Sequence, residues 1–141
     1  MKRLENLVKH FDAVAAIIVY DQRILCLKRG VGKYEYVSLK YEFPGGKIEE
    51  GEKQIEALSR ELREELDLDL TIQEEDYYMT IHHEYPDFSL TMHLYTCRPD
   101  NPEFKLIEHV EYRWCSINEI SDLDWADADW PIVRKLEMMG V

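Results

Sequence analysis

The feature that most constrains this chain is the run Gly46-Lys47-Ile48-Glu49-Glu50-Gly51-Glu52, followed seven residues later by Arg60-Glu61-Leu62-Arg63-Glu64-Glu65-Leu66-Asp67-Leu68. Its second half predicts an amphipathic helix over Lys53 to Leu66. At about 100° per residue, Ile55, Leu58, Leu62 and Leu66 form one apolar stripe, which has to be covered by another layer of structure. Glu61, Glu64 and Glu65 stand at i, i+3 and i+4, so their carboxylates share a neighbouring face. Like charges in that arrangement oppose the helix by roughly a few tenths of a kcal/mol per pair. Beside the edge of a core they call for a counter-ion. Hard divalent cations take oxygen ligands, and Mg²⁺ fits best because it keeps waters and shares phosphate oxygens. Three glutamates taken alone favour a solvated acidic face.

The whole run decides between these readings, because it resembles the Nudix box. That box reads Gly, five residues, Glu, seven residues, then Arg-Glu-apolar-x-Glu-Glu-x-Gly-apolar. Over 23 residues every defining position matches except the last Gly, which is Asp67 here. The preceding Tyr41-Glu42-Phe43-Pro44-Gly45 resembles the entry to the box in MutT-like members, and the similarity extends more weakly over nearly the whole chain. The resemblance implies a single α/β domain over residues 1–141, with a mixed β-sheet sandwiched between α-helices. It also implies a metal site made by Glu61, Glu64, Glu65 and the carbonyl of Gly46, with Glu52 paired to Arg60 to hold the loop against the helix. Gly45 and Gly46 permit unusual φ and close backbone approach, so a carbonyl there can reach a metal. Asp67 replaces the glycine that ends the family's helix in a left-handed conformation, which Asp tolerates less well.

Outside the box the resemblance points to a downstream glutamate that completes the metal site or acts as base. Glu108, ahead of Trp114, fits first and Glu111 second; Glu64, Glu65 and Glu108 are thus the catalytic candidates. Arg29, after the second strand, resembles the phosphate-contacting Arg of MutT-like enzymes. Asp129 stands where MutT reads its base, and its place before Trp130-Pro131 also suits a helix N-cap. As an acceptor it suits an exocyclic amine on cytosine or the edge of guanine, so the base stays open. Tyr85 lies near a Tyr of dinucleoside-polyphosphate hydrolases. His82 and His83, adjacent in a strand, point to opposite faces and cannot easily share an ion.

The remaining pattern fills in the fold. Val14 to Tyr20 and Ile24 to Leu27 predict strands joined by a turn at Asp21-Gln22. Gly30 to Lys40 is a Tyr-rich loop. Leu70 to Gln73, Tyr77 to His83, Leu90 to Cys97 and Tyr112 to Ser116 predict further strands, and Pro131 to Met139 a closing helix. Lys2 and Arg3 followed by the short apolar run Ala13 to Val19 look superficially like a signal peptide. His10 and Asp12 intervene, however, and no small-residue cleavage site follows. No stretch reaches membrane-spanning length.

Charge narrows the partners. With 29 acidic against 17 basic side chains the net charge is −12, which disfavours a nucleic-acid polymer and requires cations between the protein and any free nucleotide. Cys26, Cys97 and Cys115 lack metal or disulfide spacing and sit in apolar stretches, which suits a reducing, cytoplasmic setting. The expected activity is Mg²⁺-dependent pyrophosphohydrolysis, with Mn²⁺ as a substitute. A nucleoside triphosphate such as CTP or 8-oxo-dGTP would yield the monophosphate and pyrophosphate, and the expected state is a monomer or homodimer. The alternatives are hydrolysis of a dinucleoside polyphosphate or ADP-ribose, or a catalytically inactive nucleotide sensor.

Overall fold

The computed structural model describes residues 9–141; Lys2 and Arg3 lie outside the described residues. Strand β1, Lys9–Tyr20, turns through Asp21 and Gln22 into β2, Arg23–Lys28. Both turn residues have positive φ, 50° and 62°, the backbone of a two-residue hairpin whose twist matches its strands. Two short strands, β3 (Tyr41–Glu42) and β4 (Gly45–Lys47), precede helix α1, Gln54–Leu66. Then come β5 (Tyr77–Glu84), β6 (Phe88–Cys97), β7 (Glu111–Cys115) and helix α2, Trp130–Met139.

One sheet carries all the strands, in the order β3-β2-β1-β6-β5, with β4 added to β1 and β7 to β2. β1 and β6 run parallel over ten residue pairs, from Lys9↔Phe88 to Ile18↔Cys97, and the other named pairings are antiparallel. The sheet is therefore mixed, as the sequence predicts.

Alternation along β1 divides the core. Val14, Ala16 and Ile18 face Leu58, Leu62 and Leu66 of α1, while Ala13, Ala15 and Ile17 belong to the cluster with Ile132, Val133 and Leu136 of α2. A helix thus covers each face. Burying one leucine is worth about 1.5–3 kcal/mol, so the stripe on α1 outweighs the mutual repulsion of its glutamates several times over. The helix entry is secured by the Glu56 carboxylate, which accepts the Lys53 N–H at 2.8 Å, the reciprocal half of a capping box.

Two predicted boundaries differ. β1 begins at Lys9 rather than Val14, because the more exposed residues Lys9 to Asp12 continue the pairing with β6 beyond the part packed by α1. Leu70 to Gln73 is not a strand: no β-pairing engages it, and it buries Ile72 against the α1 side of the core before a 3₁₀ turn at Glu74–Asp76. Among the described residues no helix is long and apolar enough to cross a membrane.

The end of α1 matches the expectation for Asp67. Its φ of 52° is left-handed, and its N–H closes the helix onto the Arg63 carbonyl at 3.1 Å. The ion pair from Lys105 to Asp67 spans 3.4 Å between two exposed side chains and contributes little. Asp67→Gly should therefore raise unfolding stability by about 0.5–1 kcal/mol, read as a higher denaturant midpoint at unchanged slope.

Candidate active site

The site is built where β4 crosses in front of α1. Gly45 and Gly46 pair with Ala15 and Val14 of β1; a side chain at Gly45 would strike fixed backbone, and one at Gly46 would have to displace the Glu61 carboxyl. A Cβ on Gly45 would lie 2.0 Å from the Val14 carbonyl oxygen, and one on Gly46 would lie 2.4 Å from the carboxyl carbon of Glu61. At Gly46 the requirement is space rather than the unusual φ expected from sequence, since its φ is not positive.

Arg60 organises the acids around this crossing. Its Nε and Nη2 donate to the two oxygens of Glu52 at 2.8 and 2.9 Å, and Nη2 also reaches the Lys47 carbonyl at 2.9 Å. Nη1 donates to Glu61 at 2.9 Å and Glu64 at 3.2 Å. The guanidinium holds the Glu52 carboxyl down to about 2. The Glu52–Arg60 pair implied by the resemblance is present, and it ties the loop before α1 to the helix.

Glu65 lies deeper, 5 % exposed, and accepts the Gly45 N–H at 2.9 Å. Burial foremost, then the nearby charges of Glu42, Glu61 and Glu108, pushes its carboxyl up to about 9 against the pull of that N–H. Glu61 is also raised, by burial first, with Arg60 opposing. Among the described residues no three acids or imidazoles converge into a ready-made cation cage: Glu64 turns outward to Arg60 and Glu65 inward to Gly45. The donor set nevertheless fits a hard divalent cation. It consists of carboxylate oxygens around a backbone cradle of two glycines, and a carboxylate buried among other acids is tolerable either protonated or beside a cation.

This crossing forms one end of a cleft of about 630 Å³, lined also by Arg29, Glu42, Phe43, Glu108, His109 and Asp129. The structure brings Gly46, Glu61, Glu65, Glu108, Arg29 and Asp129 to one cavity, and leaves Glu64 outside its lining. Glu111 is also outside, receiving a hydrogen bond from the Tyr41 hydroxyl. Arg29 pairs with Glu42 at 3.5 Å.

Asp129 departs from expectation in one respect: its side chain does not cap α2. The buried carboxyl accepts instead from the Phe43 N–H at 3.4 Å, because its own backbone is already helical, where a capping side chain cannot fold back onto the first turn. Burial, followed by the charge of Glu42, raises its pKa well above the usual carboxylate range. Its surroundings thus favour the neutral carboxylic acid, which donates as well as accepts, over the carboxylate, which only accepts.

The Tyr-rich loop supplies a wall that the sequence reading left without a role. Tyr34 stacks on Tyr36 at 5.5 Å and Tyr36 on Tyr85 at 5.1 Å, with Phe88 against Tyr34 and Tyr85. The Tyr85 hydroxyl accepts the Ala128 N–H at 2.9 Å, so this residue braces the segment bearing Asp129. His82 bonds Thr91 while His83 packs edge-on against Tyr85, and they share no site. Sequence reasoning also missed Glu42 and His109, which meet at 2.9 Å; the only signal was their nearness to Phe43 and Glu108.

The family model described as NUDIX domain matches residues 9–136. The chain is 34% identical over 127 residues to CTP pyrophosphohydrolase of Escherichia coli (strain K12), covering 90% of this chain and 91% of the relative. It is 31% identical to 8-oxo-dGTP diphosphatase of the same strain, covering 74% and 79%. A solution structure of MutT, a Nudix-family protein from methicillin-resistant Staphylococcus aureus 252, superposes with a TM-score of 0.71 at 38% identity, covering 94% of this chain and 99% of that one.

The Glu52–Arg60 pair sets a pH dependence. The folded carboxyl titrates near 2 against an ordinary 4.5, so the stability it contributes is present above about pH 4.5 and is lost as pH falls toward 2. The stability gap between the wild type and Glu52→Gln should be widest near about pH 6 and should narrow by about pH 2.5, as measured by urea denaturation at each pH. A gap independent of pH would mean that Glu52 acts through packing alone.

Proposed function

From its place in the Nudix hydrolase family, to which this chain belongs, we propose that it is a Mg²⁺-dependent nucleoside triphosphate pyrophosphohydrolase. In this reading a nucleoside triphosphate and water give the monophosphate and pyrophosphate. The observation that carries the proposal is Glu65, buried beside the Gly45–Gly46 crossing with Glu61 and Glu108 around it, at the end of a cleft that also holds Arg29 and Asp129. The names of the relatives, CTP pyrophosphohydrolase and 8-oxo-dGTP diphosphatase, support the substrate class.

Glu61, Glu64, Glu65, Glu108 and the Gly46 carbonyl would hold the metal, with Mn²⁺ as a substitute. When bound it offsets phosphate charge and makes water more acidic. Arg29 holds a phosphate through its planar fork of donors. Glu108 orients the attacking water and takes its proton. Tyr34, Tyr85 and Phe88, backed by Tyr36, give a base flat surface in the cleft on which to stack, and Asp129 reads its edge. A group that both donates and accepts suits cytosine's amine and ring nitrogen as well as guanine's carbonyl and ring N–H, so CTP and 8-oxo-dGTP are both proposed substrates. Tyr85, the residue that suggested a dinucleoside polyphosphate, spends its hydroxyl on the Ala128 N–H. Three free, buried cysteines accord with a cytoplasmic setting.

With Mg²⁺, purified protein should release pyrophosphate rather than orthophosphate from at least one nucleoside triphosphate. Glu64→Gln and Glu65→Gln should each lower kcat by at least about 10²-fold, the scale of losing a main electrostatic contributor. Binding of a broad nucleotide panel without cleavage would replace this reading with that of a sensor.

Base reading has its own test. Asp129→Asn keeps one donor and one acceptor, whereas Asp129→Ala keeps neither. The ratio of kcat/KM for CTP over 8-oxo-dGTP should shift by about tenfold or more in Asp129→Ala, since an unpaired polar contact costs about 1–3 kcal/mol. Asp129→Asn should shift it less. An unchanged ratio in Asp129→Ala places base recognition elsewhere in the cleft.

A further inference from the structure

Glu42 adds a carboxylate to a wall that already holds Glu65 and Asp129, and its charge opposes ionisation of both. Such a group is costly there unless its own oxygens are committed. They are: Oε1 accepts from Arg29 Nη1 at 3.5 Å and Oε2 from His109 Nε2 at 2.9 Å. The His109 side chain is 4 % exposed, and among the described residues its Nδ1 is a buried polar atom without a partner. An apolar side chain would fill the same space without leaving that atom orphaned. The bond from Nε2 to Glu42 is what the imidazole adds.

His109 also follows Glu108 directly. The backbone on either side is pinned, Ile107 N–H to the Glu65 carbonyl at 3.1 Å and Val110 N–H to the Lys28 carbonyl at 3.0 Å. Between these two ties, the imidazole links the segment bearing Glu108 to the wall bearing Arg29.

We propose that His109 is a positioning residue: its Nε2–H fixes the Glu42 carboxylate, which in turn aims the Arg29 guanidinium into the cleft, and the same bond seats Glu108 beside Glu65. The proposal rests on the nucleotide-hydrolase reading for the roles of Arg29 and Glu108. A carboxylate only accepts, so the ring proton must sit on Nε2. His109→Gln keeps an N–H at nearly that place, His109→Leu keeps the volume without it, and Glu42→Gln removes the charge at the centre of the brace.

The test measures kcat and KM with Mg²⁺ on a triphosphate that the wild type cleaves. His109→Leu and Glu42→Gln should each raise KM by about tenfold or more, the scale of losing a hydrogen bond to a charged group, and should lower kcat as well. His109→Gln should stay within about threefold of wild type. In an Arg29→Ala background His109→Leu should lose most of its effect on KM, since residues acting through one network are not additive. Additive effects, wild-type kinetics in His109→Leu, or equal damage from Gln and Leu would overturn the proposal. If His109→Leu does not fold, Glu42→Gln with and without Arg29→Ala decides the same point. ¹⁵N NMR of the metal-free protein should show the His109 proton on Nε2, and a proton on Nδ1 alone would also overturn the brace. Should the wild type cleave no nucleotide, the hydrolase reading fails, while the NMR measurement still decides the Glu42–His109 bond.

Discussion

Arg60 is the point on which the site depends. One guanidinium draws together the loop before α1, through Glu52 and the Lys47 carbonyl, and the helix itself, through Glu61 and Glu64. Without a positive charge at this place, the acids on one turn of α1 would repel each other, and the hydrogen bond from the Gly45 N–H to Glu65 would be left to tie the backbone of β4 to the helix. A lysine could supply the charge but not the fork, because its ammonium cannot meet both oxygens of Glu52 and a carbonyl in one plane. The remaining geometry follows from this fastening. β4 lies close enough to α1 that a Cβ on Gly46 would press on the Glu61 carboxyl, and Glu65 comes within reach of the Gly45 N–H.

That closeness divides the three glutamates, which a helical wheel places together. Glu61 sits against Gly46, Glu65 is drawn into the core edge, and Glu64 stays at the surface with Arg60. Spacing of i, i+3 and i+4 states only that three side chains share a face. How deep each one goes is decided by what packs on that face, here a strand of two glycines. Burial leads the rise at both Glu65 and Glu61, and at Glu61 the neighbouring Arg60 opposes it.

The parts of the fold legible in the sequence were those with a period. The stripe on α1, the short apolar run of β2 and the alternation along β6 needed only local patterning, and the box needed only spacing. The length of β1 was not legible, because Lys9 to Asp12 are held by pairing with β6 rather than by burial. Leu70 to Gln73 has the composition of a strand but no partner edge, and edges are a property of the assembled sheet. Among the site residues, Glu52, Arg60, Glu61 and Glu65 were visible through the box. Glu42 and His109 were not, since they lie 67 residues apart and only the pairing of β2 with both β3 and β7 brings their segments together.

The cleft also departs in charge from the strongly acidic chain around it. Its acids are not spread evenly around the cavity. Glu61, Glu65 and Glu108 gather at the β4 crossing, while Lys47 lies over the Phe11 ring at 3.9 Å and Lys33 over Tyr34 at 5.3 Å. Phe11, Phe88 and Tyr34 contact one another in sequence between them, so the two ammonium groups mark the ends of an aromatic strip. These two cations are held by rings, unlike Arg29, which pairs with Glu42, and none of the described acids forms an ion pair with either lysine. A carboxylate partner would have cancelled the charge; a ring face orients it at a cost of only about 1 kcal/mol of competing attraction. The net charge of −12 thus describes the chain as a whole but not the cleft wall, where Arg29, Lys33 and Lys47 stand among Glu42, Glu61, Glu65, Glu108 and Asp129.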